Sequence, residues 1–518
     1  MALDIATFAT RWQARPRALA LLDVREAGEA ERGHIPGATA LPRRLIEFRI
    51  ASLVPDRATP VVVYDGDDGR AALARQTLLD AGYHAVEVLE GGAPAWAAAG
   101  HALATGFNVP SKAFGEQVLV HDGVAFITPD ALAELRAGQP ALCVWDVRTP
   151  GEFERASLPG AVNMPGFETV LRAHAAAQAQ GTLLVHCAGR TRSIIAARTL
   201  QLLGFPATAL ENGTMGWTLA GHPLAPGTRR DLPEPDAATR ADARQRAEAL
   251  ALGAGVEARN ARDLIARRAH TPGPSYFFDV RPADAFAQGH AAGAVHVPSG
   301  QLIQCTDDYI AVEAAEIVLM DDGDARAAIA AYWLRRMGFP RVSLLVGGLP
   351  AWIEAAGPVE TGRQRARPLG LTEARRDVRA LPREALEALD LPQVFIDVGT
   401  SADFAAGHLP GAQWLPRGWL EARIGRASRP GHALVLTARD ERQAIFAAAT
   451  LLKSGTDEPV FVLDGGNAGW CAAGGTLETG PCAEADFGQD VVTPPYAKGT
   501  QEMRRYLEWE KRLHGDAA

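Results

Sequence analysis

Cysteine is scarce in this chain. Five are spread over 518 residues, an odd number, and Cys305, Cys471 and Cys482 have no second cysteine or histidine at metal-ligand spacing. That excludes a disulfide framework, argues against a zinc site, and points to a reducing compartment, the cytoplasm. Basic excess is missing too. A formal net charge of -9 leaves no footprint for nucleic acid and would be repelled by anionic membrane surfaces. No apolar run is long enough to span a bilayer. The N-terminal stretch carries Asp4 and no basic segment leading into an apolar run, so a signal peptide is not expected. Apolar residues are not in short supply: at 47% they suffice for ordinary globular cores, and the length calls for roughly three to five domains.

What the chain does contain is one long unit written four times. The opening phrase reads LLDVREAGEAERGHIPGATALP from Leu21, VWDVRTPGEFERASLPGAVNMP from Val144, FFDVRPADAFAQGHAAGAVHVP from Phe277 and FIDVGTSADFAAGHLPGAQWLP from Phe395. The closing phrase reads LEGGAPAWAAAG from Leu89, LENGTMGWTLAG from Leu210, LVGGLPAWIEAAG from Leu345 and LDGGNAGWCAAG from Leu463. A period above about a hundred residues is too long for a solenoid, so each repeat is a domain. Between the phrases lie apolar runs at 60–64, 182–186, 316–320 and 433–437, each followed by a loop and a helical pattern. Short apolar runs alternating with helices predict an α/β fold with a mainly parallel sheet covered on both faces. Strand-to-helix turns then gather at the carboxyl edge of the sheet, where such folds place ligands. The domains expected are 1–108, 120–228, 245–362 and 372–480, with a helical tail at 481–518. Composition shifts at 106–125, 226–245 and 361–380 mark the joins. Tyr506, Trp509 and Leu513 fall on one face of the tail, which is expected to pack back on a neighbouring domain.

The chemistry concentrates in Leu183 to Phe205. An apolar run delivers Cys187 to the loop Ala188-Gly189-Arg190-Thr191-Arg192, Ser193 opens a helical pattern, and Gly204 stops it. A cysteine at a strand-to-helix turn meets converging amides and the positive end of a helix dipole. Both favour thiolate, and Arg190 and Arg192 add positive charge.

With Asp146-Val147-Arg148, Glu152-Phe153, Pro159-Gly160-Ala161, the Cys187–Arg192 loop, Gly213 and Trp217 taken together, the chain resembles the rhodanese (sulfurtransferase) family. The resemblance implies four tandem rhodanese-like domains, of which one keeps a cysteine-bearing loop. It implies an enzyme in which Cys187 takes a sulfane sulfur from a small anionic donor such as thiosulfate. The resulting persulfide passes it to cyanide, glutathione or a protein thiol, without cofactor or metal. Ala188, Gly189, Arg190, Thr191 and Arg192 would bind the donor, Arg192 being the first choice to grip its oxygens.

Aligned on their closing arginines, the other loops place Asp65, Asp321 and Thr437 where Cys187 stands. None can form a persulfide, so those domains are expected to be silent. Asp146 and Arg148 recur as Asp23 with Arg25 and Asp279 with Arg281, which suggests fold-holding pairs. Glu152 is expected to orient an arginine, and Asn212, standing where the other repeats have Gly91, Gly347 and Gly465, to line the pocket. His186 should point to the other side of its strand. His34, His290, His408 and the four closing tryptophans read as structural. Two other functions remain: a non-enzymatic scaffold or redox sensor, and a cysteine phosphatase or arsenate reductase. Four residues between Cys187 and Arg192 suit a smaller anion than phosphate.

Overall fold

A computed structural model of the chain describes residues 2–515 apart from 140–141, 231–232, 271–272, 274, 365–366 and 483–489. Parts of the second and third joins and of the tail lie outside the described residues. Each repeat is built on a five-stranded parallel sheet. In the second repeat the strands are β1 (Phe126–Ile127), β2 (Val144–Asp146), β3 (Val162–Asn163), β4 (Leu183–His186) and β5 (Ala207–Leu210), in spatial order β1-β5-β4-β2-β3. The other three repeats share that order. It puts the strand that ends at the loop in the middle of the sheet, with neighbours on both sides.

That position explains why these runs are apolar throughout. Every residue of β4 and of its counterparts Val61–Tyr64, Glu316–Met320 and Ala433–Thr437 is buried. In the fourth repeat alternate side chains divide between two cores: Val394, Ile396, Leu434, Leu436 and Val462 meet the helix Glu441–Lys453, while Ala433, Val435, Phe461 and Leu463 meet Leu386. Both faces are therefore covered, as a parallel sheet requires.

The closing tryptophans each donate Nε1–H to the carbonyl six residues on, Ala102, Pro223, Pro358 and Thr476, at 2.9–3.0 Å. Trp96, Trp217 and Trp352 are core, but Trp470 is only half-buried. The three histidines place Nδ1 within 2.8–3.0 Å of the carbonyls of Ala30, Phe286 and Phe404, one helical turn back. No described helix is long and apolar enough to cross a membrane.

The chain divides into two compact units, one holding the first and fourth repeats up to Val492, the other the second and third with the chain from Thr493 on. In the first unit, Arg43 grips Glu421 with two hydrogen bonds of 2.6 Å and Arg417 grips Glu47, all four side chains being buried. Phe48 meets Phe446 edge to face at 5.6 Å. Removing one partner of such a pair leaves the other charge buried and uncompensated. Arg417→Ala should therefore destabilise this unit by about 3 kcal/mol. The expected readout is a lower urea midpoint for hydrogen-exchange protection in peptides covering 43–53 and 417–426, against an unmoved midpoint at 183–202.

Candidate active site

The sheet edge of the second repeat carries the site, and the buried pair beneath it comes first. Arg148 donates Nε–H to Asp146 Oδ1 at 2.9 Å and Nη2–H to Oδ2 at 2.6 Å, and also reaches the Ala156 carbonyl at 2.6 Å. Ser157, standing where the other repeats have histidine, donates to Asp146 Oδ2 at 2.6 Å. Burial opposes ionisation of Asp146, but His186 and the Arg148 guanidinium pull its carboxyl down to about 2. Asp23 with Arg25 and Asp279 with Arg281 repeat the same grip. In the fourth repeat Gly399 replaces the arginine, and burial pushes Asp397 up to about 6. The grip thus recurs in three of the four repeats.

Strand β4 ends at His186, and the helix begins at Thr191, two residues earlier than expected. We label the helices α1 (Val109–Asp122), α2 (Pro150–Arg155), α3 (Thr191–Leu202), α4 (Gly213–Leu219) and α5 (Thr500–Arg512). Thr191 and Arg192 thus belong to the first turn of α3, and the loop proper is Cys187 to Arg190. Cys187 Sγ lies 3.4 Å from Ser193 Oγ, a neighbour not singled out from sequence. The Cys187 carbonyl accepts from Thr214 N–H at 2.8 Å. A side chain at Gly213, where φ is +55°, would place its Cβ 2.2 Å from that carbonyl, so the close approach of α4 demands glycine. His186 is fully buried, its Nδ1 3.4 Å from the Cys187 carbonyl and its Nε2 3.7 Å from Asp146. It packs beneath the loop.

Arg190 is buried and Arg192 half-buried, each in an ion pair. Arg192 is gripped by Glu152 through two hydrogen bonds of 2.7 and 2.8 Å. Burial works against the Glu152 carboxylate, yet Arg192 draws it down to about 2. Arg192 still lines a small cavity with Thr191, Gly300, Ile303 and Gln304. Arg190 differs from expectation. Its guanidinium binds Glu116 of α1 at 2.6 and 2.7 Å and Asn212 Oδ1 at 3.0 Å, so it is fully engaged and 4% exposed. Asn212, with φ +58°, secures Arg190 in place of lining an open pocket.

Residues 8–99, 128–220, 260–355 and 381–473 each match the family model of the rhodanese-like domain. The chain belongs to the rhodanese-like family. A crystal structure of thiosulfate sulfurtransferase from Pseudomonas aeruginosa superposes with a TM-score of 0.89 at 34% identity, covering 99% of this chain and 97% of that one. A thiosulfate sulfurtransferase of Pseudomonas aeruginosa is 28% identical over 253 residues, 40% of this chain and 90% of the relative. The putative thiosulfate sulfurtransferase SseB of Mycobacterium tuberculosis is 31% identical over 174 residues, 27% of this chain, and the match spans 61% of that relative's length.

The other rhodanese repeats reveal what their loops bind. Asp65 accepts from Asp67 N–H at 2.9 Å and Ala71 N–H at 2.8 Å; Asp321 accepts from Gly323 N–H and Ala327 N–H, both at 2.8 Å. A side-chain carboxylate fills the turn and takes amides from both ends of it. The corresponding amides in the second repeat are those of Gly189 and Ser193. Thr437 instead donates to Asn467 at 2.7 Å.

The rhodanese loop is also covered. Cys187 is 2% exposed. The tail buries Met503, Leu507, Glu510 and, of the face expected, Leu513; Tyr506 and Trp509 flank that stripe. Glu116, Tyr506 and Glu510 are the site neighbours that sequence reasoning missed.

Asp146 and Glu152 both titrate below their ordinary values in the folded chain. Their stabilisation is therefore complete above about pH 5 and is lost as pH falls toward about 2. Asp146→Asn should flatten that acid limb by about 2 kcal/mol, read from urea unfolding at a series of pH values.

Proposed function

We propose that this rhodanese is a sulfurtransferase that carries sulfane sulfur on Cys187, from an anionic donor such as thiosulfate to a thiol or cyanide. The supporting observation is the amide nest. In two neighbouring repeats the same turn holds a carboxylate, so it is built to hold an anion at the head of a helix. In the second repeat that anion is the thiolate of Cys187, and after transfer its persulfide.

The loop charges agree. Asp68, Asp324 and Asp440 each bind the closing arginine of their own loop, Arg70, Arg326 and Arg442. At the equivalent place the second repeat has Arg190, so no loop acid opposes an incoming anion. The Cys187 thiolate attacks the outer sulfur of the donor, the S–S bond breaks, and its electron pair leaves with sulfite. A thiol or cyanide then attacks the outer sulfur of the persulfide, and Cys187 departs as thiolate. Atoms and charge balance without oxidant, metal or cofactor. All five cysteines are free, in keeping with a reducing compartment such as the cytoplasm. Because Cys187 is covered, turnover requires the cover to part.

The test is mass spectrometry of the full chain after exposure to thiosulfate, together with a thiocyanate assay. One added sulfur on Cys187 and ping-pong kinetics are expected, with Cys187→Ser falling to the uncatalysed rate. A wild-type protein that stays unmodified, with a Cys187→Ser variant of equal activity, would leave a scaffold as the better account.

A further inference from the structure

Three elements close over the Cys187 loop, and they are not held equally. Helix α1 is locked on: a Cβ at Gly115 would stand 2.9 Å from Thr191 Cγ2, and Glu116 grips Arg190 with both carboxyl oxygens. The third repeat, which walls the cavity at Arg192, is fixed to the second by Arg326 on Glu168 and Trp333 on Thr199. Helix α5 has less to hold it. Only three of its thirteen residues are buried, Met503, Leu507 and Glu510, against eight of the twelve in α3. Met503 and Leu507 pack on Met215 of α4, but the third member of that stripe is an acid. Glu510 Oε1 accepts from the Thr191 hydroxyl at 2.7 Å, whereas its buried Oε2 makes no hydrogen bond among the described residues. Such an oxygen opposes docking, because water satisfies it once the helix lifts away. Looser ties are Lys511 to Glu211 at 3.8 Å and the Lys112 ammonium, 5.5 and 5.8 Å from the Trp509 and Tyr506 rings. A Cβ on Gly189 would lie 3.2 Å from Glu510 Oε2 and 3.7 Å from Tyr506 Cε1, so this weakly held helix lies on the turn that follows Cys187.

We propose that α5 is a lid on the Cys187 site, lifting from α4 and the loop to let the sulfur donor and acceptor reach the thiolate and settling back between encounters. The proposal rests on the sulfurtransfer reading of Cys187, and it assigns to one element the parting that turnover requires. Hinges lie at element ends that absorb a backbone rotation, and Gly499, with φ +96°, stands immediately before Thr500. Thirteen residues are marginal for a helix alone in water, so α5 loses its amide protection as it lifts.

The experiment reads access to Cys187 separately from sulfur transfer. The full chain is alkylated with iodoacetamide and followed at the Cys187 peptide by mass spectrometry, beside hydrogen exchange at 500–512 and 191–202. In the wild-type protein, exchange at 500–512 should depend less on urea than exchange at 191–202, as local opening does. Leu507→Ala should raise the alkylation rate about 10-fold or more, the smallest change expected when a docked helix loses a buried leucine side chain. Protection at 191–202 should stay as it was, and persulfide formation at low thiosulfate should speed up with alkylation. Met503→Ala carries the same expectations should Leu507→Ala unfold the repeat. Equal urea dependence of the two segments in the wild type overturns the proposal, as does an unchanged alkylation rate in the variant, or faster alkylation with unchanged loading. A chain that takes no sulfur onto Cys187 yet shows the faster alkylation removes the parent reading alone, and α5 is then a lid over a cysteine of other chemistry.

Discussion

Everything at the sheet edge depends on an anion held by amides where a strand turns into a helix. A helix N-terminus leaves N–H groups without partners, and a tight turn beside it aims more of them inward. In the first and third repeats the place is taken by Asp65 or Asp321, tethered to the turn that it fills. In the fourth repeat neutral Thr437 stands there and donates to Asn467 instead. In the second repeat Cys187 stands at that place, with one heavy atom beyond Cβ and its Sγ 3.4 Å from Ser193 Oγ. The same backbone thus takes a carboxylate, a hydroxyl or a thiol at one place.

The arginines follow from the same constraint. A guanidinium buried beside the turn needs a carboxylate, since an isolated buried charge would be far too costly. Arg70 satisfies this with Glu29 and Asp68, and Arg192 with Glu152 alone. Because the first repeat, which has Asp65 in place of a cysteine, retains the Arg70–Glu29 pair, the Arg192–Glu152 pair does not depend on a thiol at the loop. Arg190 is the departure: an arginine at the place of three aspartates needs an acid from elsewhere, and α1 supplies Glu116.

Much of this was legible in the sequence because fully buried parallel strands leave an unbroken apolar signature. The run expected at 316–320 is a strand over those residues, and that at 182–186 begins one residue later. The start of α3 was misplaced because Thr191 and Arg192 carry the polarity of a loop while occupying a helical turn. Helix α1 was hidden in a presumed join. Its buried residues are Ser111, Lys112, Ala113, Gly115, Glu116 and Val118, which form no apolar stripe to detect. The partners of the site lie far off in the chain: Glu116 is 74 residues from Arg190, and Glu510 is 319 from Thr191. Neither shares a local pattern with the loop that it completes, so periodicity and motif spacing could not have found them. The pairing of first with fourth repeat is likewise carried by Arg43, Glu47, Arg417 and Glu421, charges that read from sequence as ordinary surface.

Loss of the cysteine gives the third repeat a different role beside the second. Its closing arginine, Arg326, has no acid equivalent to Glu152 in its own repeat, where Ala285 stands, and binds Glu168 of the second repeat instead. Trp333 donates to Thr199 of α3 at 2.8 Å, and the Phe167 amide donates to Ser299 at 3.3 Å. Gly166 and Gly300 approach so closely that a Cβ on the former would stand 2.6 Å from the latter's nitrogen. These contacts set Gly300, Ile303 and Gln304 as a wall of the cavity that Arg192 lines.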